Sequence, residues 1–310
     1  MRLLGVFLSG HKGPAFPFEK TGKRPGCIHN FYGIIGKTIL DFKKDVRQME
    51  DNNPSFAEIW YLFHSGFAIK TKRYFFIFDY YPDPCSSLIG NLDQGLLSFD
   101  LMQNRQVVLF ASHRHSDHFD KRVLSWRKQI PGIQYVLSDD IRLRSEKDAS
   151  DILWAHFGKD YQWNGLALHT LHSTDEGVAF LLEADGLTIY HAGDLNWWHW
   201  EEESEQFNKS MAGQYRKEID TLAGRSIDLA FVPLDPRLGD HYHLGMEYFL
   251  KRVRPGMVFP MHFGDDFSVF RRLRLDAAAN EWKNQVTEIT HRGQHFLFSP
   301  ESRSNIRPDH

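Results

Sequence analysis

The sequence predicts an α/β protein, and three stretches of it carry that prediction. First, the apolar run Val107–Phe110 feeds a polar loop, Asp117 to Gln129 reads as a helix stopped by Pro131-Gly132, and Ile133 to Leu137 reads as a strand. Strand, loop, helix, strand is an α/β alternation. Second, Gly177 to Tyr190 reads as two buried strands turning at Asp185-Gly186, a strong turn dipeptide. Third, the apolar stretch Met257 to Met261 reads as a strand that delivers one imidazole, His262.

The other elements follow in chain order. Residues 1–52 read as an N-terminal extension, in which Gly13-Pro14, Phe16-Pro17 and Arg24-Pro25-Gly26 crowd turn signals into a segment without a period. Within it, Ile35, Ile39, Phe42 and Val46 have near-helical spacing, which predicts a helix over Ile34 to Met49. Asn52-Asn53-Pro54 marks the boundary, and 53–310 is the second domain. Ile59 to Phe63 and Tyr74 to Phe78 read as an opening hairpin joined through Gly66 and the Lys70–Arg73 turn. Towards the end, Phe267 to Val286 reads as an amphipathic helix and Thr287 to Phe298 as closing strands.

Composition excludes several function classes. At 42% hydrophobic residues the chain can bury a large core, yet no apolar run nears the ~18 residues that would span a bilayer. The net charge of −3 creates no global field for a polyanion. Local basic clusters, Lys121-Arg122, Arg127-Lys128, Lys251-Arg252 and Arg271-Arg272, fall on predicted helices as solvated faces, so nucleic acid is not the expected partner. Two cysteines, Cys27 and Cys85, make no disulfide framework, and the short apolar start is no secretory signal. A cytoplasmic enzyme is expected.

The chemistry concentrates in His113-Arg114-His115-Ser116-Asp117-His118, four metal-type ligands in one turn. Alternate residues at a strand end share a face, so His113 and His115 converge on one ion while Asp117 and His118 face a second. The strand ending in His191-Ala192-Gly193-Asp194 offers a carboxylate just past a glycine, well placed to bridge two cations.

In this order, with a late His262, the chain resembles the metallo-β-lactamase superfamily over about Phe56 to Ser299. Phe63-His64-Ser65-Gly66, Tyr190 to Asp194 and Pro260 to Phe263 make it look closest to the ascorbate-phosphate lactonase-like branch. The resemblance implies a four-layer αββα sandwich of two mixed sheets flanked by helices, with metals at one edge. It implies that His113, His115 and His172 hold a first metal, that Asp117, His118 and His262 hold a second, and that Asp194 bridges. His172 is chosen over His169, which lies in an apolar alternation and packs; a single ion stays open as an alternative. Asp79, ending the second strand, would hydrogen-bond into the site from behind the ligands, and His64 would lie beside the metals.

Imidazoles and carboxylates without a thiolate suit Zn²⁺, two per chain, with Mn or Fe accommodated by the same set. The implied reaction is hydrolysis of an ester, lactone or phosphoester-type small molecule by an activated water, with Asp117 orienting the nucleophile. His64 and His241 are candidate proton donors, and Trp197, Arg237 and His241 are candidate substrate contacts. A phosphodiesterase or nuclease of the same fold and an iron-bearing oxidoreductase are the alternatives.

Overall fold

Two strand periods explain the first sheet in the computed structural model, which describes residues 39–53, 55–82 and 87–300. Ala57–Phe63 (β1), Gly66–Lys70 (β2) and Tyr74–Phe78 (β3) form an antiparallel meander, so the expected hairpin is three strands. The extra strand begins at Gly66 and runs into the Lys70–Arg73 turn, which is why it reads as part of the connection, but Phe67 and Ile69 point inward and are fully buried. Gln106–Ala111 (β4), Gln134–Ser138 (β5) and Ile152–Ala155 (β6) then add in parallel.

The second sheet begins with Asp160–Trp163 (β7), Leu166–His172 (β8), Val178–Ala184 (β9) and Leu187–His191 (β10), all antiparallel. Leu229–Pro233 (β11) and Met257–Met261 (β12) continue it in parallel, and His295–Phe298 (β13) returns to pair with β1. Both sheets are mixed, with the predicted turn at Asp185-Gly186 between β9 and β10.

Alternation stacks the sheets. Ile59, Tyr61, Phe67, Phe76 and Phe78 of the first sheet share one core with Phe180, Leu182, Ile189, Phe231 and Phe259 of the second. The intervening residues Trp60, Leu62, Phe75, Ile77 and Leu109 turn outward into another cluster under Tyr80, Val123 and Trp126. Each layer therefore buries apolar area on both faces, the dominant favourable contribution to folding.

The outer layers differ. On the second sheet lie two α-helices, Glu205–Asp220 and Leu244–Arg252, the first capped by Ser204 Oγ accepting from Phe207 N at 3.2 Å. Over the first sheet, the predicted helix at Asp117 to Gln129 is instead a 3₁₀ helix, Lys121–Lys128, capped by Asp120. Its late start has a local cause: Asp117 and His118 are held in the ligand loop, where His118 N donates to His115 O at 3.0 Å. The C-terminal helix is also shorter than expected, Ser268–Leu275, because Asp276 leaves the helical region and accepts from Tyr242 Oη and Ala278 N, both at 2.9 Å. Of the expected closing strands, β13 forms; Val286, the last residue of the expected helix, makes one isolated bridge to Val258.

By compactness the chain divides into residues 1–44 and 45–310, within the helix Ile39–Asn52. The turn signals between Gly13 and Gly26, Pro54 of the expected boundary, Cys27 and Cys85 lie outside the described residues. No helix among the described residues is long and apolar enough to cross a membrane.

Candidate metal centre

Ligand-type side chains meet where both sheets end. Past β3, Asp79 is fully buried and accepts three hydrogen bonds: from Ser112 N and Ser112 Oγ, each at 2.7 Å, and from His118 Nδ1 at 2.7 Å. This contact turns His118 Nε2 toward Asp194 Oδ1, 3.3 Å away. His113 is oriented similarly, with Nδ1 at 3.0 Å from Ser112 Oγ and Nε2 at 3.5 Å from Asp194 Oδ2. Beside it, His115 Nδ1 lies 3.0 Å from His113 Nε2.

A loop of the second sheet and one more of the first supply the remainder. After β12, His262 sets Nε2 at 3.3 Å from the same Asp194 Oδ1, while its Nδ1 bonds Asp235 Oδ2 at 2.9 Å. His64, after β1, stacks on His262 with ring centroids 4.1 Å apart, and its Nε2 is 3.5 Å from Asp117 Oδ2. Close approach of these loops needs glycine: at Gly193, φ +51°, a Cβ would meet Ser112 Cβ at 2.6 Å, and at Gly177, φ +71°, it would meet Ser112 O at 2.0 Å. His64, Asp79 and His262 themselves adopt positive φ (55°, 42°, 69°), a conformation costly for side-chain-bearing residues and held here by the surrounding contacts.

Burial and charge set the electrostatics. Burial opposes ionisation of Asp194, yet His118 and His262 hold its carboxyl well below the usual range. Burial likewise opposes a charge on His262, but Asp194 and Asp235 push it up to about 10. Burial drives His64 down to about 3, aided by His262 and His118, and His113 down to about 4. Asp175 is raised by its own burial and by Asp194.

The expected residues His64, Asp79, His113, His115, Asp117, His118, Asp194 and His262 come together; His172 does not. Its side chain is exposed at the end of β8, lies edge-on against Phe157 at 4.5 Å, and joins none of the candidate ligand groups among the described residues. Strand alternation places His172 in phase with buried Leu168 and Thr170, but it is the last residue of β8, where the side chain is exposed. His169 is no substitute, since its Nδ1 pairs with Asp160 at 2.8 Å. Asp175 takes the position instead, with ligand atoms of His115, Asp175 and Asp194 within 4.8 Å of one another. The segment Leu168 to Asp175 offers this aspartate beside its two histidines, and from the sequence the choice falls on His172. Asp235, behind His262, also escaped sequence reasoning because it read as part of a turn.

Among the expected substrate contacts, Arg237 lies at the rim. Its guanidinium is bound by Asp235, its Nη2 is 3.2 Å from His262 Nδ1, and its side chain is 60% exposed. Trp197 and His241 instead line a cavity of about 620 Å³ with Glu201, Glu205 and Lys209. The tryptophan that touches the centre is Trp198, 5.2 Å from the His262 ring, with Nε1 donating to Asp194 O at 3.0 Å.

The donor set fits a cation. His64 Nε2, His118 Nε2 and Asp194 Oδ1 are buried and have no hydrogen-bond partner, although such atoms are normally satisfied. Three imidazoles aimed at one carboxylate, each backed by an oxygen or a second ring, is the donor chemistry of a transition-metal site.

No family model matches the chain. Two curated relatives are described as UPF0173 metal-dependent hydrolases. That of Heliobacterium modesticaldum is 31% identical over 121 residues, 38% of this chain and 41% of the relative, so the match spans less than half of that protein. That of Opitutus terrae is 27% identical over 225 residues, 66% of this chain and 84% of the relative. Among solved structures, Igni18, a metallo hydrolase of Ignicoccus hospitalis, superposes with a TM-score of 0.53 at 17% identity, covering 79% of this chain and 99% of that one. YhfI of Bacillus subtilis, a metallo-β-lactamase fold protein, gives 0.51 at 15% identity, covering 78% and 99%. The fold is that of the metallo-β-lactamases. CmlA, a diiron β-hydroxylase of Streptomyces venezuelae, superposes at 0.52 with 11% identity, covering 78% of this chain and 54% of that one. In the metallo-β-lactamase fold of this chain the candidate ligands occupy the strand ends at which the two sheets meet.

Proposed function

We propose that the chain is a metal-dependent hydrolase of a small ester, lactone or phosphoester, in the manner of the lactonase-like branch. One observation carries the reading: Asp194 Oδ1, buried and without a hydrogen bond, has the Nε2 atoms of His118 and His262 each 3.3 Å away. A buried anion flanked by imidazole nitrogens has little structural use and much use to a divalent cation. The curated relatives' description as metal-dependent hydrolases supports it.

In this reading His113, His115 and Asp175 hold one cation, Asp117, His118 and His262 hold the other, and Asp194 serves both. Zn²⁺ suits these donors, with Mn or Fe as substitutes. Once bound, such a cation acidifies a water toward a pKa of ~7 and polarises the substrate's carbonyl or phosphoryl oxygen. Asp117, 47% exposed on its side chain and 3.5 Å from His64, orients the attacking water and accepts its proton. Asp79 and Asp235 hold the Nδ1 atoms of His118 and His262, so both rings present Nε2. Arg237, anchored by Asp235, meets an anionic part of the substrate. Trp198 packs beside His262 and keeps bulk water from that side.

A polyanion is disfavoured, because the exposed Asp117 and Asp175 carboxylates lie beside the candidate ligands. The test is elemental analysis of the protein as purified, with a screen of esters, lactones, thioesters, phosphodiesters and β-lactams. Turnover removed by a chelator and restored by zinc is expected. Absence of both metal and turnover after zinc loading would overturn the reading. Iron with a visible absorption band would favour an oxidoreductase, a chemistry the fold hosts in CmlA.

A further inference from the structure

His115 differs from the other histidines of the centre in how it is held. His118 and His262 bond a carboxylate through Nδ1 and face Asp194 through Nε2. His115 is reversed: Nδ1 is the inward atom, 3.0 Å from His113 Nε2, and Nε2 points to Glu176 Oε2 at 3.5 Å. That oxygen is buried and has no hydrogen-bond partner, although the Glu176 side chain as a whole is 29% exposed. The other oxygen, Oε1, is fixed by Arg114 Nη2. Arg114 is itself tethered, its backbone N donating to Asp140 Oδ2 at 3.1 Å.

We propose that Glu176 is the positioning residue of His115, holding the Nε2–H so that Nδ1 is the atom offered to the metal centre. This rests on the metal-dependent reading above. Three features make the pair specific. His115 is the most exposed of the histidines in the centre, 43% on its side chain, so packing alone does not fix its ring. Glu176 adjoins Asp175, so one short loop before β9 supplies both a candidate ligand and the group that orients its neighbour. Arg114 occupies one carboxylate oxygen and leaves the other for the imidazole, a division that a carboxylate acting as a bidentate ligand would not permit.

Replacing such a partner typically costs 10–100-fold in metal affinity. The experiment compares the full chain with Glu176→Ala and Glu176→Gln, measuring zinc affinity by chelator competition and recording imidazole ¹⁵N shifts of the zinc-loaded proteins. Glu176→Ala is expected to weaken one ion about 10–100-fold and leave the other unchanged, with His115 losing its single tautomer. Glu176→Gln, which keeps an acceptor, is expected to recover most of the affinity. Unchanged affinity and tautomer in Glu176→Ala overturn the proposal, as does loss of a whole ion in both variants, which would make Glu176 a ligand. If the unaltered chain binds no divalent metal, the hydrolase reading falls and this proposal with it; the other outcomes overturn the proposal alone.

Discussion

The two imidazoles on either side of Asp194 Oδ1 are equally distant from it but are backed in different ways. Behind His118, Asp79 is fully buried; it accepts from Ser112 N, Ser112 Oγ and the imidazole itself, His191 Nδ1 lies 4.0 Å away, and no guanidinium or ammonium pairs with it among the described residues. Behind His262, Asp235 is just as buried but shares its charge with Arg237, whose guanidinium reaches solvent. Burial opposes both carboxylates, yet the neighbouring imidazole holds Asp79 low, and His262 and Arg237 take Asp235 to about 2. An uncompensated buried charge is far costlier than one paired to a permanent cation. The His118 half is thus rigid and depends on its histidines and the metal for neutrality, whereas the His262 half carries its own counter-charge and opens toward substrate.

Six substitutions break or sharpen this contrast. Asp194→Asn removes the anion common to both halves and should cost about 10³-fold or more in kcat/KM, a loss of several kcal/mol of transition-state stabilisation. Residual activity above that, with normal metal content, would mean the halves do not share it. Asp79→Asn should lower metal affinity about 10–100-fold, because it removes a fully buried anion behind His118, and Asp235→Asn less, because the Arg237 guanidinium it leaves is 60% exposed and screened by solvent. Titration with a metallochromic chelator separates the two, and equal losses would erase the distinction. Arg237→Met should raise KM for an anionic substrate about tenfold, near 1.4 kcal/mol, while metal content holds, as initial rates and elemental analysis would show. Smallest of all, His172→Ala should leave metal stoichiometry at the wild-type value, whereas Asp175→Ala reduces it; the opposite pattern would return the ligand to His172.

Half of the centre was legible because it is contiguous. His113, His115, Asp117 and His118 lie on one six-residue turn, so strand geometry alone brings them together, and Asp194 and His262 each follow an apolar strand. Where local rules compete with packing, reading failed. The strand β2 was hidden in a turn, the helix expected after the ligand loop became a 3₁₀ segment, and the C-terminal helix stopped at Asp276 on meeting Tyr242.

By itself the sequence determined the α/β character, the hairpin at Asp185-Gly186 and the chemical type of the centre, since these depend on side-chain period, turn chemistry and donor identity. Tertiary structure alone decided which residue follows His115 into the centre. His172 and Asp175 are three residues apart; β8 ends at His172 with its side chain exposed, and Gly177 lets the following loop press against Ser112 beside the centre. It also decided that Asp235 and Glu176 stand behind histidines 27 and 61 residues distant in the chain. No local signal records such pairings, because they are made by two sheets closing on each other over a shared core.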